Sequence, residues 1–66
     1  MRIRLNGEPT ELPADSTPSD LVQHLGLRDE QVAVEVNRKL VRREERAVLV
    51  LRDGDEVELV TLVGGG

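Results

Sequence analysis

The group best placed to do chemistry in this sequence is not a side chain. The chain closes on Leu62-Val63-Gly64-Gly65-Gly66, so a carboxylate follows three residues without side chains, and those follow an apolar run. Glycine loses more freedom on ordering than any other residue, so such a run contributes little to a fold. It can, however, lie extended in a slot too narrow for a side chain. That suits a protein whose working group is its own terminal carboxylate, on Gly66, presented to another protein's active site. Gly65, Gly64 and Val63 would then form a flexible arm. A frayed end or a cloning scar would look the same in isolation.

Other chemistries find little support. Cysteine is absent, which removes a thiol nucleophile, a disulfide and a thiolate metal site. The single histidine, His24, has no second ligand beside it and stands near the end of an expected helix, where the helix dipole favours a surface histidine. No phosphate-binding loop occurs, and no acid–base pair falls in a plausible cleft. The expectation is a chain that is not an enzyme and binds no metal or cofactor. Phe, Tyr and Trp are missing, and 13 acidic against 9 basic residues give a net charge of -4. Nucleic acid is therefore an unsuitable partner, because base stacking needs aromatic platforms and the phosphate backbone attracts cations. The basic group Arg38-Lys39 with Arg42-Arg43 reads as a solvated turn, or as a contact for an acidic patch on a partner protein. The start, Met1-Arg2-Ile3-Arg4-Leu5-Asn6-Gly7, does not read as a signal peptide. No apolar run approaches the roughly 20 residues needed to span a bilayer. No membrane association and a cytoplasmic setting are expected.

The elements that must position the terminus can be read from periodicity. Sixty-six residues make a single domain, 1–66, with an aliphatic core, and a chain this short buries only about 60% of its unfolded surface. Residues 2–5 alternate, with Arg2 and Arg4 on one face and Ile3 and Leu5 on the other, as a half-buried strand does. Asn6-Gly7 predicts a type I′ hairpin turn, returning through Glu8 to Leu12, with Pro9 confined to an edge or a strand start. Thr17 is placed to cap a helix with Pro18 at its first position and Asp20 at its third. Leu21, Val22 and Leu25 would share its buried face, and Gly26 would end it after about nine residues. A helix that short does not survive alone in water and must lie across a sheet.

Val32, Val34 and Val36 predict a further strand, Asn37-Arg38-Lys39 a turn, and Leu40-Val41 a short return. Glu44 to Leu51 is ambiguous, with Glu44-Glu45-Arg46-Ala47 resembling one helical or 3₁₀ turn. Asp53-Gly54-Asp55 is a turn. Beyond it Val57, Leu59 and Thr61 face one way, and Glu56, Glu58, Val60 and Leu62 the other. This order predicts an α+β fold, a mixed sheet of four to five strands with one main helix on one face. The last strand would lie centrally beside the first. Arg2 and Arg4 would then share the open face with Glu56 and Glu58, where opposite charges would fix the pairing by roughly 0.2–1 kcal/mol each. Val60 and Leu62 would be exposed hydrophobes just upstream of the arm, a candidate docking patch. Asp53, Asp55, Glu56 and Glu58 could ring it and steer a basic partner.

Four segments together carry a resemblance: Val34-Glu35-Val36-Asn37, Leu40-Val41-Arg42-Arg43, Leu51-Arg52-Asp53-Gly54-Asp55-Glu56-Val57-Glu58 and Val63-Gly64-Gly65-Gly66. In order and spacing they resemble the bacterial thiamine-biosynthesis sulfur carrier family, ThiS, across essentially the whole chain. The resemblance implies a ubiquitin-like β-grasp fold and no catalytic activity of the chain's own. It implies that an E1-like adenylyltransferase (ThiF type) uses ATP and Mg²⁺ in its own site to activate the carboxylate of Gly66. Sulfur from cysteine, through a donor of the cysteine desulfurase type, would then give a thiocarboxylate. Thiazole synthase (ThiG type) would receive that sulfur. The chain departs from the family pattern in lacking an aromatic near the last strand and in carrying Arg42-Arg43 where Pro-Arg is common. Sister carriers serving tRNA thiolation or molybdopterin synthesis share the same features, as does a ubiquitin-like protein modifier. A non-covalent interaction domain would use the glycines only as a spacer.

Overall fold

The computed structural model describes residues 1–62. Expectations placed on Val63, Gly64, Gly65 and Gly66 lie outside the described residues.

Strand β1 (Arg2–Leu5) turns directly into β2 (Glu8–Glu11). Asn6 and Gly7 have φ of 50° and 85°, the left-handed pair that a type I′ turn requires and that Asn-Gly tolerates best. β2 lies at the sheet edge, which is where Pro9, with no N–H to give a second neighbour, can be placed. Leu12, just past β2, is buried and donates its N–H to the Met1 carbonyl at 2.9 Å.

Helix α1 (Pro18–His24) begins as its sequence dictates. The Thr17 hydroxyl accepts from the Asp20 N–H at 3.2 Å, and the Asp20 carboxylate accepts from the Thr17 N–H at 2.9 Å. This reciprocal box satisfies two otherwise orphaned donors, and Pro18 at the first position has no donor to lose. The helix is shorter than expected, at 7 residues. Gly26, with φ of 75°, reverses the chain so that the Gly26 N–H reaches the Gln23 carbonyl and the Leu27 N–H the Val22 carbonyl. These two bonds form a Schellman closure. They also correct the expected buried face: Leu25 is 44% exposed, and Leu27, swung back by the glycine, packs against the core instead.

Strand β3 (Val32–Val36) follows a 3₁₀ turn at Asp29–Gln31 and pairs with β4 (Lys39–Val41). Lys39, expected in the turn, opens β4; the turn itself is Asn37 and Arg38, both at positive φ. The ambiguous segment begins as a 3₁₀ turn, Arg43–Glu45, and Val48 to Leu51 forms no strand. β5 (Glu56–Thr61) completes a five-stranded sheet of order β2-β1-β5-β3-β4. β5 runs parallel to β1 and antiparallel to β3. The sheet is therefore mixed, with the last strand central, as expected.

One face of the sheet carries the core. Ile3, Val34, Val57 and Leu59 from the strands meet Leu21 and Val22 from α1, with Leu51 from the loop closing the cluster. Thr61, on the same side of β5 by alternation, lies at its end and is exposed. Among the described residues no helix is long and apolar enough to cross a membrane.

Candidate functional site

β5 is the element that leads to the glycine run, and its outward face is the surface beside it. Glu56, Glu58 and Val60 point to that face and are exposed, and Leu62 follows them, 52% exposed. Val60 is 58% exposed although it sits in a central strand. The expected exposure of Val60 and Leu62 is thus present. The register adds neighbours that a one-dimensional reading does not supply. Across β3, Glu35 stands opposite Glu58 and Ala33 opposite Val60. Across β4, Leu40 stands opposite Glu35 and is 67% exposed.

The acidic residues do not form one ring. Asp53 and Asp55 precede β5, while Val60 and Leu62 lie at its other end, and at about 3.3 Å per residue Asp55 and Val60 are about 17 Å apart. Both loop carboxylates are engaged in the turn. Asp53 accepts from the Arg2 N–H at 2.7 Å. Asp55 accepts from the Asn37 side-chain amide at 3.0 Å and from the Arg52 N–H at 2.8 Å. Glu56 and Glu58 are the acids that share the face with Val60.

The expected charge pairing across β1 and β5 does not form, which is a correction. Arg4 and Glu56 are register partners, but the Arg4 guanidinium donates to the Gly7 carbonyl at 3.2 Å. Arg2 turns the other way and pairs with Glu11 on β2 at 2.8 Å. Both partners are exposed, so that pair contributes little. The β1–β5 junction is instead held by backbone bonds and by one side chain. Past the end of β1, the Asn6 side chain donates to the Leu59 carbonyl at 3.2 Å and accepts from the Leu59 N–H at 2.9 Å. It occupies the ladder position that β1 vacates when it turns into the hairpin.

A second residue missed in the sequence is Arg46, which is 5% exposed. Its guanidinium donates to the carbonyls of Asp29 at 2.8 Å and Val32 at 3.0 Å, with the Asp29 carboxylate 3.6 Å away. The Arg46 carbonyl accepts from the Ser19 N–H at 3.0 Å. One residue thus ties the loop after β4 to the entry of β3 and the first turn of α1. Its signal was hidden by position in a charged run, Arg42 to Arg46, whose other members are exposed.

Among the described residues no group of three or more His, Cys, Asp or Glu is arranged to hold a metal ion. His24 is exposed on α1. The site is the exposed outward face of the sheet beside β5.

The model of the ThiS family matches residues 3–66, nearly the whole chain. The chain belongs to the ThiS family. It is 30% identical to the sulfur carrier protein ThiS of Escherichia coli K12 over 66 residues, covering 100% of both chains. It is 42% identical to a thiazole synthase of Magnetococcus marinus over 66 residues, which is 100% of this chain and 20% of that one. The chain thus spans a fifth of the length of such relatives. The crystal structure of the thiamine biosynthesis protein ThiS from Geobacter metallireducens superposes with a TM-score of 0.82 at 32% identity, covering 100% of both chains. The five-stranded mixed sheet with one main helix is the ubiquitin-like β-grasp of that family.

Proposed function

We propose that the chain is a sulfur carrier for thiazole formation in thiamine biosynthesis, with Gly66 as the residue that carries the sulfur. The observation that carries this reading is the family match, which runs through the glycines to residue 66. A carboxylate is a poor electrophile until one oxygen becomes a good leaving group. In an E1-like adenylyltransferase of the ThiF type, the Gly66 carboxylate would attack the α-phosphorus of ATP and release pyrophosphate. A persulfide from a donor of the cysteine desulfurase type would displace AMP, and a thiol reductant would cleave the resulting S–S bond. The product is a thiocarboxylate, a tethered sulfur nucleophile. ATP and Mg²⁺ belong to the partner; this chain supplies the terminus, the arm and the docking surface.

Thiazole synthase (ThiG type) is the proposed acceptor. Its support is the relative from Magnetococcus marinus, a thiazole synthase one-fifth of which matches this whole chain. In that reading Gly64 and Gly65 let the arm enter a narrow channel, and Val63, Leu62 and Val60 anchor its neck. Glu56, Glu58 and Asp55 steer the approach of a basic surface. The setting is cytoplasmic, where ATP and a reducing thiol pool are available.

The test is a pair of changes confined to the terminus. Gly65→Val should leave the circular-dichroism melt unchanged and abolish adenylation, because a β-branched side chain would not fit the slot. Amidation of Gly66 should abolish it as well. Normal adenylation of Gly65→Val, or full function of the amidated chain, would reduce the glycines to a spacer.

A further inference from the structure

The outward sheet face extends beyond β5. Leu40, Glu35 and Glu58 stand in one row across β4, β3 and β5, and Ala33 and Val60 stand in the next. Two features of this face are unfavourable for a chain on its own. Leu40 and Val60 are among its most exposed large hydrophobic residues. Between them, two glutamates face each other directly across antiparallel strands, an arrangement that destabilises a sheet. Among the described residues neither glutamate has an ion-pair partner. The contrast with the other end of the sheet is direct, since there Arg2 is paired with Glu11. One opposite-charge pair thus forms across β1 and β2, whereas across β3 and β5 two like charges face each other.

We infer that this face is a docking surface for thiazole synthase in which a basic side chain of the synthase enters between Glu35 and Glu58 while apolar side chains cover Leu40 and Val60. The inference rests on the carrier reading above and adds β3 and β4 to it. Charge complementarity carries the choice of a basic group. The glutamate pair makes no ion pair among the described residues, although Arg4 lies nearby on the same face. It is flanked by apolar surface that lowers the local dielectric once covered, and a cation between the two would remove the repulsion. The choice of occupant is supported by the Magnetococcus marinus relative, a thiazole synthase of which one-fifth matches this whole chain.

The experiment is a calorimetric titration of the carrier into the thiazole synthase of the same source, at low and high salt. The wild-type chain is compared with Glu35→Gln/Glu58→Gln and with Leu40→Ser. The double variant should bind about tenfold more weakly or worse at low salt and show a clearly smaller salt dependence, since it removes two of the charges being screened. Its melting temperature should equal or exceed that of the wild type, which separates lost docking from lost folding. Leu40→Ser should weaken binding and keep the salt dependence. Wild-type affinity and salt dependence in the double variant would overturn the inference, as would a wild-type chain that does not bind the synthase. Thiocarboxylate loading, followed separately by mass spectrometry, distinguishes the two readings. A chain that loads but does not dock on this face keeps the carrier role; one that docks but never loads loses it.

Discussion

On the helix side of β5, Val57 and Leu59 are buried against α1 and its neighbours, whereas on the other side Glu56, Glu58 and Val60 of the same strand are exposed. The two sets alternate residue by residue, so local sequence and backbone are shared, and only the facing differs. Val57 and Val60 are the same residue type three positions apart, one 1% and the other 58% exposed. A valine on the first side holds the fold; a valine on the second side leaves apolar surface in water, and the carrier reading proposed above gives it a partner to meet. The comparison teaches that facing, rather than residue type, separates the positions that build the core from those left for a docking patch in the proposed reading.

Arg46→Ala should have the largest effect on stability, because it strips the carbonyls of Asp29 and Val32 of a charged donor inside the protein. A loss of about 2–3 kcal/mol is expected by urea unfolding. Loss of under half that would mean the loop and α1 hold together without it. Val57→Ala should cost about 2 kcal/mol; an unchanged melt would erase the distinction between the two faces. Thr17→Ala removes half of the reciprocal cap and should cost about 1 kcal/mol, with Thr17→Ser restoring most of it. Val60→Ala should change stability by less than about 0.5 kcal/mol and still weaken capture by the partner enzymes. A Val60→Ala chain as destabilised as Val57→Ala would place that side chain in the core and remove it from the docking surface.

Most of the scaffold was legible because its signals are local. The Asn6-Gly7 turn, the Thr17-Pro18-Ser19-Asp20 start and the period-two alternation of β1, β3 and β5 each depend on a few neighbouring residues. What escaped depends on contacts between distant segments. Leu25 fits the helical stripe, but Gly26 redirects the chain and gives its place to Leu27. Facing alone pairs the arginines of β1 with the glutamates of β5, yet Arg2 has its register partner Glu11 on β2 at 2.8 Å. Arg46 looks like one more surface charge until the loop carries it under the entry to β3. The row Leu40-Glu35-Glu58 could not be seen before the register was known, since a slip of one residue would turn the strand's whole set of side chains over.

The central claim is that Gly66 carries sulfur, and an intact mass spectrum tests it most directly. The purified chain would be incubated with ATP, the adenylyltransferase of the same source and a cysteine-fed sulfur donor. A mass change matching one oxygen replaced by sulfur, confined to the fragment containing Gly66, is the predicted result. An unchanged mass in the presence of a demonstrably active adenylyltransferase would contradict the account and leave the chain as a non-covalent interaction domain.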